Sequence, residues 1–308
     1  MRFSGHESFA CRYAWLPKAY REICRNPNTF GDEQDAMVRL GVGKNMVRSI
    51  RFWVEVTAVA MQSADRSLSP TDFGQAVFSE VGFDPFLEDE RTLWLLHWNI
   101  AARRGDDALF AWEFLLNRWP YPELTRSEAL AALEREVRRL NEPHSSVTLA
   151  QHLDVFLHTY VATRGVRASF EDSLDCPLAE LELLHPAGER RIGGSGRRDT
   201  IYAFRREAKP EITPALFEYC LDDFWRRNHP DEATLTFRDV ALAPGSIGQI
   251  FKLPEDDVRA RLDRYTRADA KLPFAYQPSA VQGLLARRGA NERVNLLERV
   301  YQIEADVA

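Results

Sequence analysis

The chain has 308 residues, 45% apolar and 28% charged, a composition that excludes disordered, collagenous and membrane classes and leaves ordinary globular domains. Forty basic residues stand against 46 acidic ones, a net charge of −6, so no polycationic surface coats nucleic acid and any DNA contact has to be a local patch. Four cysteines (Cys11, Cys24, Cys176, Cys220) lack CxxC pairs and zinc-like histidine spacing, which excludes a zinc site and a disulfide framework. They are expected as reduced thiols of a cytoplasmic protein, since the chain shows neither a signal-peptide pattern nor a run of about 18 apolar residues.

In chain order, apolar residues at three- and four-residue spacing predict helices over Tyr13 to Cys24, Asp35 to Leu40, Asn45 to Met61, Thr92 to Arg104, Ala108 to Asn117, Arg126 to Asn141 and Val147 to Tyr160. Thr125 ahead of Glu128 has the form of a capping box. The stretch from His185 to Asp199, with Pro186 and glycines at 188, 193, 194 and 196, reads as a hairpin tip or mobile loop before a strand at Thr200 to Phe204. The fold expected is mainly α: winged-helix-like N-terminal and C-terminal helix-turn-helix units, residues 1–80 and 186–308, around a central helical region, 81–185, with a few short strands.

The most informative stretch runs from Ala36 to Trp53. A short helix ends at Gly41, a tight turn follows, and a second helix buries Met46, Val47, Ile50 and Trp53 or Val54 against the first, which is helix-turn-helix spacing. The second helix is expected to carry Lys44, Asn45, Arg48, Ser49 and Arg51 on and around its outward face. Ala36 to Val54 holds four basic residues and no acidic one. A positive helix start bearing Lys and Asn suits phosphate and base-edge contact, so double-stranded DNA is the expected partner. The bland alternative is a solvated basic face. Ser67 to Gly74 offers a short strand and turn for a wing, with Phe73 and Phe78 in the core.

A second basic stretch spans Arg190 to Lys209, where Arg197, Arg198 and their neighbours suit tracking of a phosphate backbone, or form a solvated loop. Ile247 to Tyr265 echoes the helix-turn-helix at an offset of 211. Glu255 and Asp256 stand where Lys44 and Asn45 do, so this copy is expected to be structural or partner-binding, with Pro273 and Tyr276 closing its wing.

Four stretches carry a family resemblance: Phe3-Ser-Gly-His-Glu-Ser-Phe9, Leu40-Gly-Val-Gly-Lys-Asn-Met-Val-Arg-Ser-Ile50, the Asp84 to Trp98 segment, and Glu171 to Leu178. Together, over residues 3 to about 265, they resemble the SspB-like family, a phosphorothioation-associated domain of unknown function that includes the DNA-nicking component of Ssp defence systems. The resemblance implies a bacterial DNA-binding protein that nicks one strand as part of DNA phosphorothioation in antiviral defence, alongside other proteins of that system.

A nickase of that kind needs an activated water and charge neutralisation at the scissile phosphate, usually from a carboxylate-held divalent ion, Mg2+ or Mn2+. Asp32, Glu33 and Asp35, just before the helix-turn-helix, are the first candidates, with Asp32 and Asp35 as metal ligands. Acidic residues at a helix start equally serve as caps. His6 and Glu7 follow as base or further ligand, or as a buried hydrogen-bonded pair. Asp84, Glu88, Asp89 and Glu90 read as a capped helix start, and Glu171, Asp172 and Asp175 as a structural loop or partner interface. Cys176 has nothing beside it to activate a nucleophile. The rival to a metal-dependent endonuclease is a non-catalytic DNA-binding regulator or recruitment subunit; a third reading is a protein scaffold built on the aromatic segment around Trp94.

Overall fold

The computed structural model describes residues 1–142, 144–162, 176–191, 198–267, 272–279, 281–288 and 293–302. The chain divides into two compact units, residues 1–115 with 119–205, and residues 116–118 with 206–308. The division falls at 205/206, and no boundary separates residues 1–80 from those that follow. The reason is visible in the core: Arg2 pairs with Leu109 as an isolated bridge, and the rings of Trp53 and Trp112 meet edge to face at 6.3 Å.

In the first unit, α1 (Trp15–Arg25) buries Trp15, Leu16, Ala19, Tyr20 and Ile23, the stripe its periodicity predicts. Asp32 caps α2 (Glu33–Leu40), and Gly41 ends it in the left-handed region at φ 67. After Val42 and Gly43, α3 (Lys44–Val56) begins and packs Val47, Ile50, Trp53 and Val54 inward. It stops at Val56 rather than running on to Met61, because Ala58 turns left-handed and Ala60 enters a strand. The antiparallel hairpin of β1 (Ala60–Gln62) and β2 (Leu68–Pro70) follows, then α4 (Asp72–Phe78), capped by Thr71, with Phe73 and Phe78 buried as expected.

The central region is more than helical. The helices α5 (Glu90–Ala101) and α6 (Phe110–Asn117) supply Trp94, Trp98 and Trp112 to the core, all buried, so the aromatic segment around Trp94 is interior and offers no scaffold surface. Then come β3 (Glu123–Thr125), α7 (Arg126–Leu140), α8 (Ser146–Tyr160), β4 (Leu184–Arg191) and β5 (Arg198–Phe204), the strands forming an antiparallel sheet of order β3-β5-β4. The Thr125–Glu128 capping box opens α7. Of the two readings of 185–199, hairpin or mobile loop, the antiparallel β4–β5 pair bears out the hairpin; residues 192–197 lie outside the described residues.

The second unit has the same plan. After α9 (Pro214–Asn228) the order is β6 (Thr234–Thr236), α10 (Phe237–Ala241), α11 (Ile247–Ile250), α12 (Glu255–Asp263), β7 (Phe274–Gln277) and β8 (Leu284–Arg287), with sheet order β6-β8-β7; α13 (Arg293–Tyr301) packs on α9. Leu235-Thr236 repeats Leu124-Thr125, and Thr236 with Asp239 makes the second capping box. Mainly α with short strands is thus the architecture. Among the described residues no helix is long and apolar enough to cross a membrane.

Two glycines of the first unit separate conformational from steric demand. A Cβ on Gly74 would lie 1.9 Å from the Val59 carbonyl oxygen, whereas one on Gly43, at φ −73, would meet nothing within 4 Å. Gly74→Ala is expected to cost about 2 kcal/mol or more in denaturant unfolding and Gly43→Ala, an N-cap change in open space, only about 0.5 kcal/mol. Equal effects at the two positions would contradict this packing.

Candidate functional site: the helix-turn-helix surface

The exposed surface of the α2–turn–α3 unit is built from the start of α3. Gly43 is its N-cap and offers no side-chain cap, and the first turn contains no acidic residue, so its backbone N–H groups and the positive end of the macrodipole face outward. Lys44, Asn45 and Arg48 are exposed, Arg51 is half-buried, and Gly41 and Gly43 leave the turn open. Ser49 is fully buried and not on this face: it falls on the same helical side as Ile50 and Trp53 and reaches no external partner.

The positive charge counted along the sequence is matched in space by acids from neighbouring segments. Glu33 takes Lys44 Nζ at 2.8 Å and Arg48 Nε at 2.7 Å. Asp35 takes Arg39 Nε at 2.6 Å, and Glu55 takes Arg51 Nε at 3.2 Å. Lys44 first, then Arg48, hold the Glu33 carboxyl below the usual carboxylate range. Glu7, at a left-handed φ of 48, lies within electrostatic reach of Arg48. Exposed pairs of this kind are weak and open readily to a competing anion.

The proposed carboxylates are thereby accounted for. Asp32 is a cap: its Oδ1 accepts Gln34 N–H at 2.9 Å and Asp35 N–H at 3.3 Å. Asp35 is spent on Arg39 and Glu33 on two cations, so Asp32 and Asp35, as placed, do not fit a shared divalent ion. Among the described residues no group of three or more His, Cys, Asp or Glu is positioned to hold one. Asp84 is buried and accepts Glu88 N–H and Asp89 N–H at 2.8 and 3.1 Å, while Asp89 caps α5, the structural role expected. Cys176 is buried; Glu171, Asp172 and Asp175 lie outside the described residues.

His6 belongs to the interior. Its Nε2 lies 3.0 Å from His152 Nδ1 on α8, and Ala111 N–H donates to His152 Nε2 at 3.1 Å. Ser8 N–H donates to His6 Nδ1 at 3.2 Å, so both ring nitrogens of His6 are engaged inside the protein and neither is directed outward for general-base work. Burial lowers His6 to about 4 and pushes His152 down as well. The opening Phe3 to Phe9 motif is a seam, edge-on to Phe52 of α3 through His6 and donated to at the Phe9 carbonyl by Trp53 Nε1 at 3.0 Å.

Of the second basic stretch, Lys209 is buried, Arg190 is held by Glu123 and Glu128, and Arg198 pairs with Glu189 at 2.9 Å. Arg197 lies outside the described residues. Arg66 is a further exposed cation, at φ 69 in the β1–β2 turn, where Asp65 Oδ1 accepts Ser67 N–H at 3.0 Å. In the second unit, Glu255, Asp256 and Asp257 do form the first turn of α12, and Arg259 lies over the Phe237 ring at 4.4 Å. That helix start repels phosphate.

The sequence model of a family described as a protein of unknown function, DUF4007, matches residues 3–301. The chain belongs to the DUF4007 family. Among solved structures, this DUF4007 chain is similar to a magnesium ion-bound SspB crystal structure, with a TM-score of 0.81 and 26% identity over 96% of this chain and 85% of that one. A second SspB crystal structure gives a TM-score of 0.78 at the same identity and coverage. The likeness agrees with the SspB-like resemblance carried by the four sequence stretches. No curated protein matches.

The buried histidines set a pH dependence. Each stays neutral in the fold while the unfolded chain takes up a proton below about 6.5, so their contribution is complete above that pH; that of His6 is lost as pH falls toward 4, and His152, held down by burial, acts in the same direction. Unfolding free energy is expected to drop between pH 6.5 and 4.5 with a slope approaching about 1.4 kcal/mol per pH unit for each histidine, and His152→Gln to flatten it. A flat profile across that range would place the pair outside the core.

Proposed function

We propose that this protein binds duplex DNA through the start of α3 and acts in a phosphorothioation system of the Ssp type. One observation carries the reading: an uncapped helix start, free of acids in its own first turn, presents Lys44, Asn45 and Arg48 from an open glycine turn. The β1–β2 hairpin makes the unit winged-helix-like, with Arg66 at the tip of its wing to reach a neighbouring phosphate. The SspB likeness supplies the system, with the other proteins of that pathway as partners.

Glu33 sets the terms of binding. It holds the two cations that phosphate would take, so DNA has to displace a carboxylate to dock, and the ion pairs exchange rather than form anew. In gel shifts, Lys44→Glu with Arg48→Glu is expected to abolish binding at concentrations that shift the parent protein. Lys44→Ala with Arg48→Ala should lower the log–log salt slope by about 2. Glu33→Gln should tighten binding roughly three- to fivefold, most at low salt. An unchanged salt slope in the alanine pair rejects this face.

Strand nicking with Mg2+ or Mn2+ is proposed on the resemblance, and no step of it is assigned to Asp32, Glu33 or Asp35, whose carboxylates serve the cap and the ion pairs. Supercoiled plasmid with either ion is expected to give open circles. Asp32→Ala with Asp35→Ala is expected to keep that activity; its loss, with DNA binding intact, would return these carboxylates to the reacting centre. A plasmid that stays supercoiled while gel shifts persist supports the non-catalytic recruitment subunit.

A further inference from the structure

The segment of residues 79–90, between α4 and α5, exposes large apolar side chains from a rigid backbone. Val81 is 96% exposed, Phe86 65% and Phe83 41%. Exposure of this kind usually belongs to a frayed loop, but here every turn is fixed. Gly82 N–H donates to Ser79 O at 2.9 Å, Phe83 N–H to Ala76 O at 2.9 Å and Asp84 N–H to Val77 O at 3.0 Å. The Asp84 carboxylate, itself buried, gathers Glu88 N–H and Asp89 N–H, and Leu87 is pinned inside at φ 63. A Cβ on Gly82 would lie 2.5 Å from the Val77 carbonyl oxygen, so the bend is packed against α4.

The segment's own charge has one sign, and Arg91, which follows it, is taken up by Asp89 at 2.7 Å. Residues 79–90 contain Glu80, Asp84, Glu88, Asp89 and Glu90 and no Lys or Arg, and Glu80 and Glu88 are exposed. Such a rim repels a phosphate backbone, which removes DNA as the occupant. It also disfavours a second copy of this loop, which would bring the same acids in a chain of net charge −6. What complements it is an apolar stripe flanked by lysines or arginines. We propose that residues 79–90 form a docking surface for a partner protein presenting a basic amphipathic helix, whose apolar face seats on Val81 and Phe86 and whose cations meet Glu80 and Glu88. The rigidity of the loop lowers the ordering cost of docking, and the small area fits a transient contact of micromolar strength.

The test uses the full chain and a fluorescein-labelled 18-residue helical peptide of leucine and lysine, read by anisotropy. The parent protein is expected to bind it in the micromolar range, more weakly as salt rises. Val81→Ser with Phe86→Ser, both surface changes, should weaken binding about tenfold or more with thermal unfolding and DNA gel shift unchanged, and Glu80→Gln with Glu88→Gln should reduce the salt dependence. Equal affinity in the serine pair overturns the proposal. So does equal binding of a peptide with serine in place of leucine, which would make the contact charge alone. A dimer of the parent protein that the serine pair dissolves overturns it too, by assigning the surface to self-association.

Discussion

Everything at the helix-turn-helix surface depends on the burial of one stripe of α3. Val47, Ile50, Trp53 and Val54 are each at most 1% exposed, and a helix with those positions fixed has no rotational freedom left. Lys44, Asn45 and Arg48 face out because the stripe faces in, and Ser49 is lost to the interior for the same reason. Local charge does not set the orientation; apolar area does, at about 25 cal/mol for each Å² removed from water. The Phe3 to Phe9 seam reinforces this by packing Phe52, so the sequence motif that flanks the site serves the helix rather than the chemistry.

A count of charge along a chain differs from a count in space. Four cations and no anions between Ala36 and Val54 describe a basic helix, yet Glu33, Asp35 and Glu55 meet those cations across turns the count ignores. The free surface is a set of exchangeable ion pairs. Such a surface favours polyanions over single anions, since many weak carboxylate contacts are replaced together and released counterions add to the gain. It also gives specificity a route, because random acidic partners compete poorly with acids already in place.

Much of the helical plan was legible in the sequence, because 3.6-residue periodicity, caps and glycine stops are local. The helix-turn-helix, the Thr125 capping box, the core roles of Phe73 and Phe78 and the acidic copy at Glu255 all belong to that class. The overrun of α3 to Met61 came from apolar residues continuing past Val56 into a strand, which periodicity alone does not separate. The sheet order β3-β5-β4 was hidden for a different reason: β3 is only three residues long, and its pairing with β5 joins positions about 80 residues apart, as Glu123 with Ala203. The fate of His6 was likewise invisible, since His152 is 146 positions away. For Asp32 both readings were open, and the deciding fact, two backbone N–H groups on one oxygen, is geometric.

The distance between His6 and His152 also bears on synthesis. At about 5–20 residues per second, the ribosome delivers the second histidine on the order of ten seconds after the first. Throughout that interval Phe3 and His6 lack the His152 ring of α8 that packs on them, a stretch of sticky, incomplete core held in a nascent chain. The first unit is therefore expected to acquire its cooperative fold only once α8 has emerged, which gives holdase chaperones a defined window on its amino-terminal half.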